Sequence, residues 1–555
     1  MKSLSNSFKL GTLIPFLALV FFFSSCMKEK IDMDKISNTV DWNVSYGAPV
    51  AYGNISLSDI ISAVDKSGLV KQDNNNLLYL LYRDTILSQT AENLLTIPTQ
   101  TYQQGFTAVD KDFPPVPVSL DSIKISRDTT FAFTFNRSDV EIDSIFLKSG
   151  NLNFTSTINL PYVCRIDIVF PTLKKNGIPL TIPIRKTSAS SPYTSPPVNV
   201  DMTGYKLSFT KKGTSSNLID VRYNVAIINK KGAISGGNVI NTSINLTNSG
   251  FSAIFGYLGQ INNLLNLVDQ KLTIDFFSGT DNFNVNVNNP KIILYVQNSF
   301  GIPVRAQLNN IRTYSDKTSS YFNVNIAPNP IDIKYPSLAQ VGQTIFDTIN
   351  FTSNDLFNAI QTSPHYFYYS ENAITNPLGK TGTSNFFLDT SKIKASMEIK
   401  LPFDLQASNL GTSDTITFDI GKAVNDWSIL KKLTLYNTFN NSIPFDLNLQ
   451  VFLTDSNKVA IDSLYRIADQ PIVKSGVLIP GSNPQKYTFP STPPKPLAVV
   501  FDETRAKKLE KVKYAILKVS MKTPGSSYVK FYSDYRLNCA FQVQATLDVK
   551  SLNQF

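Results

Sequence analysis

A small β-unit recurs along this chain, and that repeat constrains the fold more than any single motif. Lys291-Ile292-Ile293-Leu294-Tyr295 is followed after six residues by Ile302-Pro303 and then Leu308. Lys432-Leu433-Thr434-Leu435-Tyr436 is followed after six residues by Ile443-Pro444 and then Leu449. The offsets match without a gap, and both intervals hold Asn and Ser (VQNSFG and NTFNNS). Leu152 to Asn159, Pro161 and Val163 to Phe170 form a looser third copy. The pattern reads as a hairpin: a strand, a polar turn, a proline at the entry of the next strand, and a second strand. Its recurrence at well-separated positions predicts tandem sandwich domains of one type.

Composition agrees with such a fold. The chain holds 37 Phe and 24 Tyr, and only 17% of its residues are charged. Aromatic and β-branched strands divided by Asn, Ser, Thr and Pro turns are the usual make-up of β-structure. The expected fold class is mostly β: tandem immunoglobulin-like β-sandwich domains with a few short helices. A chain of 555 residues exceeds what one core supports. The expected spans are 1–25 signal peptide, 26–35 tether, 36–117 N-terminal α+β region, 118–270 β-sandwich, 271–395 β-sandwich with a helical insertion, and 396–555 C-terminal β-sandwich. Short helices are expected from a Ser56 or Ser58 cap to Val64, from an Asn354 cap to Ile360, and over Thr504 to Glu510. Phe251 to Val268 has apolar spacing that suits a further helix, weakened by Gly256 and Gly259.

The N-terminus gives an address. Lys2 and Lys9 precede an apolar run, Leu13 to Phe23, and Ser24-Ser25-Cys26 follows at once. The run is shorter than the roughly 20 residues a membrane-spanning helix needs, and it ends as a cleaved export signal does. The ending resembles a bacterial lipobox, in which Cys26 is acylated and becomes the mature N-terminus. Two or three acyl chains would anchor the protein stably. Met27 to Lys35 (MKEKIDMDK) reads as a short charged tether.

Charge and side-chain counts exclude several chemistries. Removing Lys2 and Lys9 from 52 Lys+Arg leaves 50 against 42 Asp+Glu, a thin excess. The one strong basic cluster, Arg505 to Lys513, also holds Glu510 and reads as the polar face of a short helix. Nucleic-acid binding would call for a wider basic stripe, so no nucleic-acid partner is expected. With one histidine, His365, a Ser-His-Asp triad must use it or not exist, and a multi-histidine zinc site is impossible. Cys164 and Cys539 sit in strand-like runs and read as buried thiols, with a disulfide between them left open. Gly379 to Ser384 (GKTGTS) lacks the upstream glycine of a phosphate-binding loop. The Asp139/Glu141/Asp143 set lacks the glycine-punctuated frame of a calcium loop. No catalytic residue, metal site or cofactor is therefore assigned.

Two surface signals remain. Asp followed by Ser or Thr and then an apolar residue or Thr places candidate sites at Thr85, Ser122, Thr129, Ser144, Thr348, Thr415 and Ser463. This resembles an O-glycosylation signal of exported Bacteroidota proteins. The alternative is structural: Asp and Ser/Thr close a turn before the next strand. Tyr366-Phe367-Tyr368-Tyr369, and Tyr528 with Phe531, Tyr532 and Tyr535, could offer stacking platforms for sugar rings, although most aromatics in β domains are core.

The lipobox, Ile36 to Tyr52 (ISNTVDWNVSYGAPVAY), Ser299 to Pro303, Asp414 to Asp419, Asn440 to Pro444, Asp455 to Leu464 and Tyr532 to Ala545 together resemble an uncharacterised family of Bacteroidota cell-envelope lipoproteins. The resemblance implies a lipid-anchored protein at the outer membrane, facing the cell surface or the periplasm. It brings no catalytic residues. The expected role is non-enzymatic binding or scaffolding, with the membrane as partner through Cys26 and an envelope protein or glycan as the second partner. The alternatives are a glycan-binding lipoprotein of a polysaccharide-uptake system and a hydrolase working with carboxylates alone.

Overall fold

A computed structural model describes residues 43–548, apart from 65–67, 109–111, 113–121, 231–236, 263, 275–283, 383, 409, 419–426 and 466–470. The signal run, Cys26 and the tether lie outside the described residues. Of the described residues 62% are in strands and 7% in helices, so the fold is mostly β with a few short helices.

Three long strands come first: β1 (Asn43–Ser56), β2 (Leu78–Thr90) and β3 (Gln100–Ala108). The first sandwich follows with β4 (Ser122–Ala132), β5 (Glu141–Ile158), β6 (Val163–Lys175), β7 (Ile178–Lys186), β8 (Ser215–Ile228) and β9 (Gly237–Tyr257). The middle sandwich holds β10 (Leu265–Thr273), β11 (Lys291–Asn298), β12 (Val304–Ser315), β13 (Ser320–Asn323), β14 (Ile345–Phe351), β15 (Tyr366–Thr375), β16 (Asn385–Leu388) and β17 (Lys392–Pro402). The C-terminal sandwich holds β18 (Leu410–Thr417), β19 (Leu430–Asn441), β20 (Asp446–Thr454), β21 (Ala460–Ser463), β22 (Leu497–Asp502), β23 (Tyr514–Lys522) and β24 (Arg536–Asp548).

One topology occurs three times. In the C-terminal sandwich the sheets run β1-β24-β19-β22 and β18-β23-β20-β21. In the middle sandwich they run β2-β17-β11-β14 and β10-β15-β12-β13. In the first they run β3-β9-β5 and β4-β8-β6-β7, and Lys206–Ser208 pairs with both β5 and β6 to join them. The three copies of the sequence repeat fall on one topological step, β5 to β6, β11 to β12 and β19 to β20. That step is not the expected hairpin. Its two strands pair with different neighbours, so the turn carries the chain from one sheet across to the facing one.

Asparagine builds two of these crossings. Asn298, fully buried, accepts from Phe300 N at 2.9 Å and donates through Nδ2 to Lys334 O at 3.0 Å. Asn441 accepts from Ile443 N at 2.8 Å and donates to the carbonyls of Ile443, Phe445 and Lys474. Each side chain stands in for the backbone ladder that ends at the corner, where unpaired peptide groups would otherwise be buried.

Each sandwich also takes a long strand from the N-terminal segment, and in reverse order: β3 joins the first, β2 the middle and β1 the last. The three long strands of the 36–117 region therefore belong to three different sheets. Leu80, Tyr82, Ile86 and Leu87 of β2 and Phe106 and Ala108 of β3 are buried there. No described residue of β1 is buried. Successive sandwiches share backbone contacts as well. β9 pairs with β16, Ala253 opposite Leu388 through Gly256 opposite Asn385. Leu78, Phe403 and Phe531 bond backbone to backbone at 2.8 to 3.0 Å where the middle and C-terminal sandwiches meet.

The three short helices expected from the sequence form close to their expected spans. α1 (Leu57–Val64) carries a reciprocal box in which Ser56 Oγ accepts from Asp59 N and Asp59 accepts from Ser56 N. α2 (Asp355–Gln361) is capped by Ser353 Oγ, accepting from Asp355 N and Leu356 N, rather than by Asn354. α3 (Glu503–Lys508) is capped by Asp502, which accepts from Arg505 N. The helix expected over Phe251 to Val268 is absent: those residues end β9 and open β10. The register of β9 against β5 shifts between Thr247 and Gly250, Gly250 and Phe251, Phe251 and Ala253, and Phe255 and Gly256. Each bulge adds a residue to the period of two, so the apolar spacing mimics a helix.

Candidate functional site

The outward face of the β10-β15-β12-β13 sheet collects aromatic and cationic side chains. Strand pairing sets Tyr314 opposite both Tyr366 and Tyr321, and sets Arg312 and Lys271 opposite Tyr368. The rings of Tyr314 and Tyr366 lie 6.3 Å apart at 23°, and Tyr321 packs on Tyr314 at 4.8 Å. Arg312 bridges Tyr321 and Tyr368 at 5.2 and 5.1 Å from the ring centres and pairs with Asp269 at 3.1 Å. Lys271 Nζ sits 3.3 Å from the Tyr366 ring centre, and His365 stacks on that ring at 3.9 Å. His365 also bonds to Asp316 through Nδ1. Burial pushes the Tyr368 hydroxyl pKa up. Tyr321 is the most open ring, 56% exposed. The face can stack a sugar ring on Tyr321 and hydrogen-bond its hydroxyls, while Tyr366 is already engaged by its neighbours.

Of the sequence cluster Tyr366 to Tyr369, Tyr366 and Tyr368 point outward, and Phe367 and Tyr369 point into the core. Tyr314, Tyr321, Arg312 and Lys271 were not found by sequence reasoning, because only cross-strand register brings them together. Of the second cluster, Phe531, Tyr532 and Tyr535 are buried, so they serve the core rather than a platform.

Beneath this face lies an acid that the sequence did not single out. Glu371 is 3% exposed, points inward from β15, and leaves Oε2 without a hydrogen-bond partner among the described residues. Burial raises its pKa to about 8. Tyr369, two residues before it, donates to Asp84 at 3.0 Å. Glu371 sits within the sandwich core, and Asp84 is half-buried. A cavity of about 460 Å³ lies elsewhere, lined by Asn288, Asn289, Pro290, Ser353 and Phe357, none of them titratable.

The candidate glycosylation sites divide by exposure. Thr85, Thr348 and Thr415 are exposed; Ser122, Thr129, Ser144 and Ser463 are half-buried. All seven lie within or at the ends of strands, Ser122 at the first residue of β4. Five of their aspartates have partners among the described residues, Asp84 through Tyr369. Asp128 takes Arg222 at 2.7 and 3.1 Å, Asp143 accepts from Ser384, Asp347 takes Lys334 at 2.7 Å, and Asp462 takes Arg505 twice at 2.9 Å. Arg505 thus leaves the solvated basic cluster for a nearly buried ion pair. Lys380, in the GKTGTS loop, bonds to Glu141 at 2.5 Å, so that loop docks on the first sandwich. Asp139 is held by Arg137 and Gln260 N. Among the described residues no group of His, Cys, Asp or Glu is arranged to hold a metal, and no helix is long and apolar enough to cross a membrane. Cys164 and Cys539 are both buried and free, and burial raises their thiols to about 11 and about 12.

No family model and no curated protein matches the chain. Among solved structures, a protein of Parabacteroides distasonis described as secreted is 10% identical, matched over 90% of this chain and 99% of that one, with a TM-score of 0.26. The VP2 subviral particle of infectious bursal disease virus is 8% identical over 74% of this chain and 75% of that one, with a TM-score of 0.13. The Gt strain of that virus gives 8% identity, 84% of each chain and a TM-score of 0.14. Superpositions this loose assign neither partner nor activity.

Proposed function

We propose that this is a lipid-anchored, non-enzymatic binding and scaffolding protein of the cell envelope, tethered to the outer membrane through Cys26 and facing the cell surface. The observation that carries the scaffolding part is the linkage of three like sandwiches by strands from one N-terminal segment. Shared ladders resist hinge motion between modules better than loose linkers do. The resemblance to Bacteroidota lipoproteins supports the address. Protease shaving of intact cells tests it, with a Cys26→Ala control and fractionation. Digestion of the wild type in intact cells, and loss of the Cys26→Ala protein from the membrane fraction, are expected. Protection until lysis would mean a periplasmic face, and a Cys26→Ala protein still in the membrane would overturn the anchor.

A glycan-binding role in polysaccharide uptake is the second reading, favoured by the exposed Tyr321 ring on that face. Tyr321→Ala weakens binding of the cognate glycan several-fold on this reading, since an aromatic stacking contact contributes roughly 1 kcal/mol.

A further inference from the structure

The other outward face of the middle sandwich, formed by β2, β17, β11 and β14, is basic. Its outward positions carry Arg83, Lys291, Lys392, Lys394 and Lys400 against one carboxylate, Glu398. Arg83 takes that carboxylate, with Nε at 2.6 Å. The four lysines have no carboxylate partner among the described residues. Lys291 and Lys400 stand directly opposite each other in the ladder, an arrangement in which like charges repel. A bound anion would relieve that repulsion. Tyr79 eases it in part, its ring centre lying 3.7 Å from Lys400 Nζ.

Apolar surface is interleaved with this charge. Phe346 is 71% exposed and Tyr295 is 37% exposed. Pairing puts Phe346, Gln297 and Lys394 on one transverse row, and Tyr295 opposite Ser396 on the next. Adjacent strands are about 4.8 Å apart, so the Phe346 ring and the Lys394 ammonium lie within reach of one sugar residue and its acidic group. Lys394 and Lys400 are separated along β17 by about 20 Å at strand rise. That is too far for one small anion and suits a chain of repeated charges.

We propose that this face binds an acidic polysaccharide. Its carboxylate or sulfate groups meet Lys291, Lys394 and Lys400, and its sugar rings stack on Tyr295 and Phe346. The choice of a polysaccharide over a nucleic acid rests on the envelope address proposed above.

Affinity electrophoresis of the full chain in detergent tests this, with polygalacturonate, dextran sulfate, neutral dextran, duplex DNA and phosphatidylglycerol vesicles as probes. The expected result is binding to polygalacturonate or dextran sulfate, none to dextran, and weakening as salt screens the lysines. Joint Lys291→Gln, Lys394→Gln and Lys400→Gln substitution weakens it roughly tenfold, and Phe346→Ser weakens it several-fold without changing the salt dependence. These side chains lie outside the core, and an unchanged melting temperature confirms the fold. Absence of binding, equal binding by the lysine variant, or tighter binding to DNA or vesicles than to either acidic polysaccharide would overturn the proposal. The assay uses purified protein, so a failed anchor in fractionation and a failed polysaccharide site are separate results.

Discussion

Glu371 shows how much one inward position can cost. An acid whose pKa rises on folding, here from an ordinary 4.5 to about 8, favours its neutral form in the fold. Below about pH 4.5 both folded and unfolded chains hold the proton and no penalty arises. Between about 4.5 and 8 the unfolded chain ionises while the folded one keeps its proton, so stability falls as pH rises and levels off above 8. The slope is at most roughly 1.4 kcal/mol per pH unit. Glu371→Gln is expected to flatten the pH dependence of thermal unfolding across pH 5 to 8 and to leave stability near pH 4 almost unchanged. An unchanged slope would mean that Glu371 ionises in the fold without penalty. The signal for this residue was present in the sequence: Phe367, Tyr369, Glu371 and Ala373 alternate, and the parity of the buried aromatics assigns Glu371 to the core. The four outward partners of the tyrosine face could not be read that way. Parity gives the side of a sheet, not the register of one strand on another, and Tyr314, Tyr321, Arg312 and Lys271 meet only through register.

At the scale of the element, strand content, caps and the repeat were legible because each is written within a few consecutive residues. Ser56 with Asp59 is such a local pair, whereas α2 is capped by Ser353, one residue before the Asn354 expected. The step from β11 to β12 was legible as strand, turn and strand, but not as a crossing between sheets, because Asn298 and Asn441 find partners at Lys334 and Lys474, far along the chain. β9 misled for a different reason: its bulges break the period of two. Gly256 is where that irregularity is enforced. Its φ is +140°, and a Cβ there would lie 2.5 Å from Glu141 O and 2.6 Å from Asp143 N, both backbone atoms of β5 or its rim. Backbone cannot swing aside as a side chain can. Gly256→Ala is therefore expected to destabilise the first sandwich by roughly 2–4 kcal/mol, read as a lower denaturant midpoint for its transition. Thr85 and Thr348 add a constraint of the same scale. They share one row with Ser396 and Tyr295, so a sugar on either threonine would cover the ring proposed to stack on polysaccharide.

Over the whole molecule, the N-terminal strands decide how the sandwiches depend on one another. Ser45 bonds to Thr546 across 501 residues, the first described strand against the last. β3 can dock once the first sandwich exists, β2 once the middle one does, and β1 only when β24 has been made. The earliest of these strands in the chain thus completes its sheet last, and such long-range pairing is intrinsically slow. β2 and β3 anchor apolar side chains in their cores, whereas β1 is held by its backbone ladder to β24 with no described residue buried. Contiguous spans of sequence therefore misjudge what stabilises what. Deleting residues 43–56 is expected to leave the first and middle sandwiches intact and to open the C-terminal one at β24 alone. Hydrogen exchange checks this: amides of β24 that bond to β1 should exchange at least tenfold faster, while those of β11, β12, β5 and β6 keep their protection. β24 alternates between two ladders, to β1 on one side and β19 on the other, so only the amides facing β1 should respond. Faster exchange throughout β19, β20 and β23 would mean instead that the strand is integral to the C-terminal core. Unchanged exchange in β24 would mean that its edge is stable without β1, and the tie between the N-terminal segment and the last sandwich would then be dispensable for the fold.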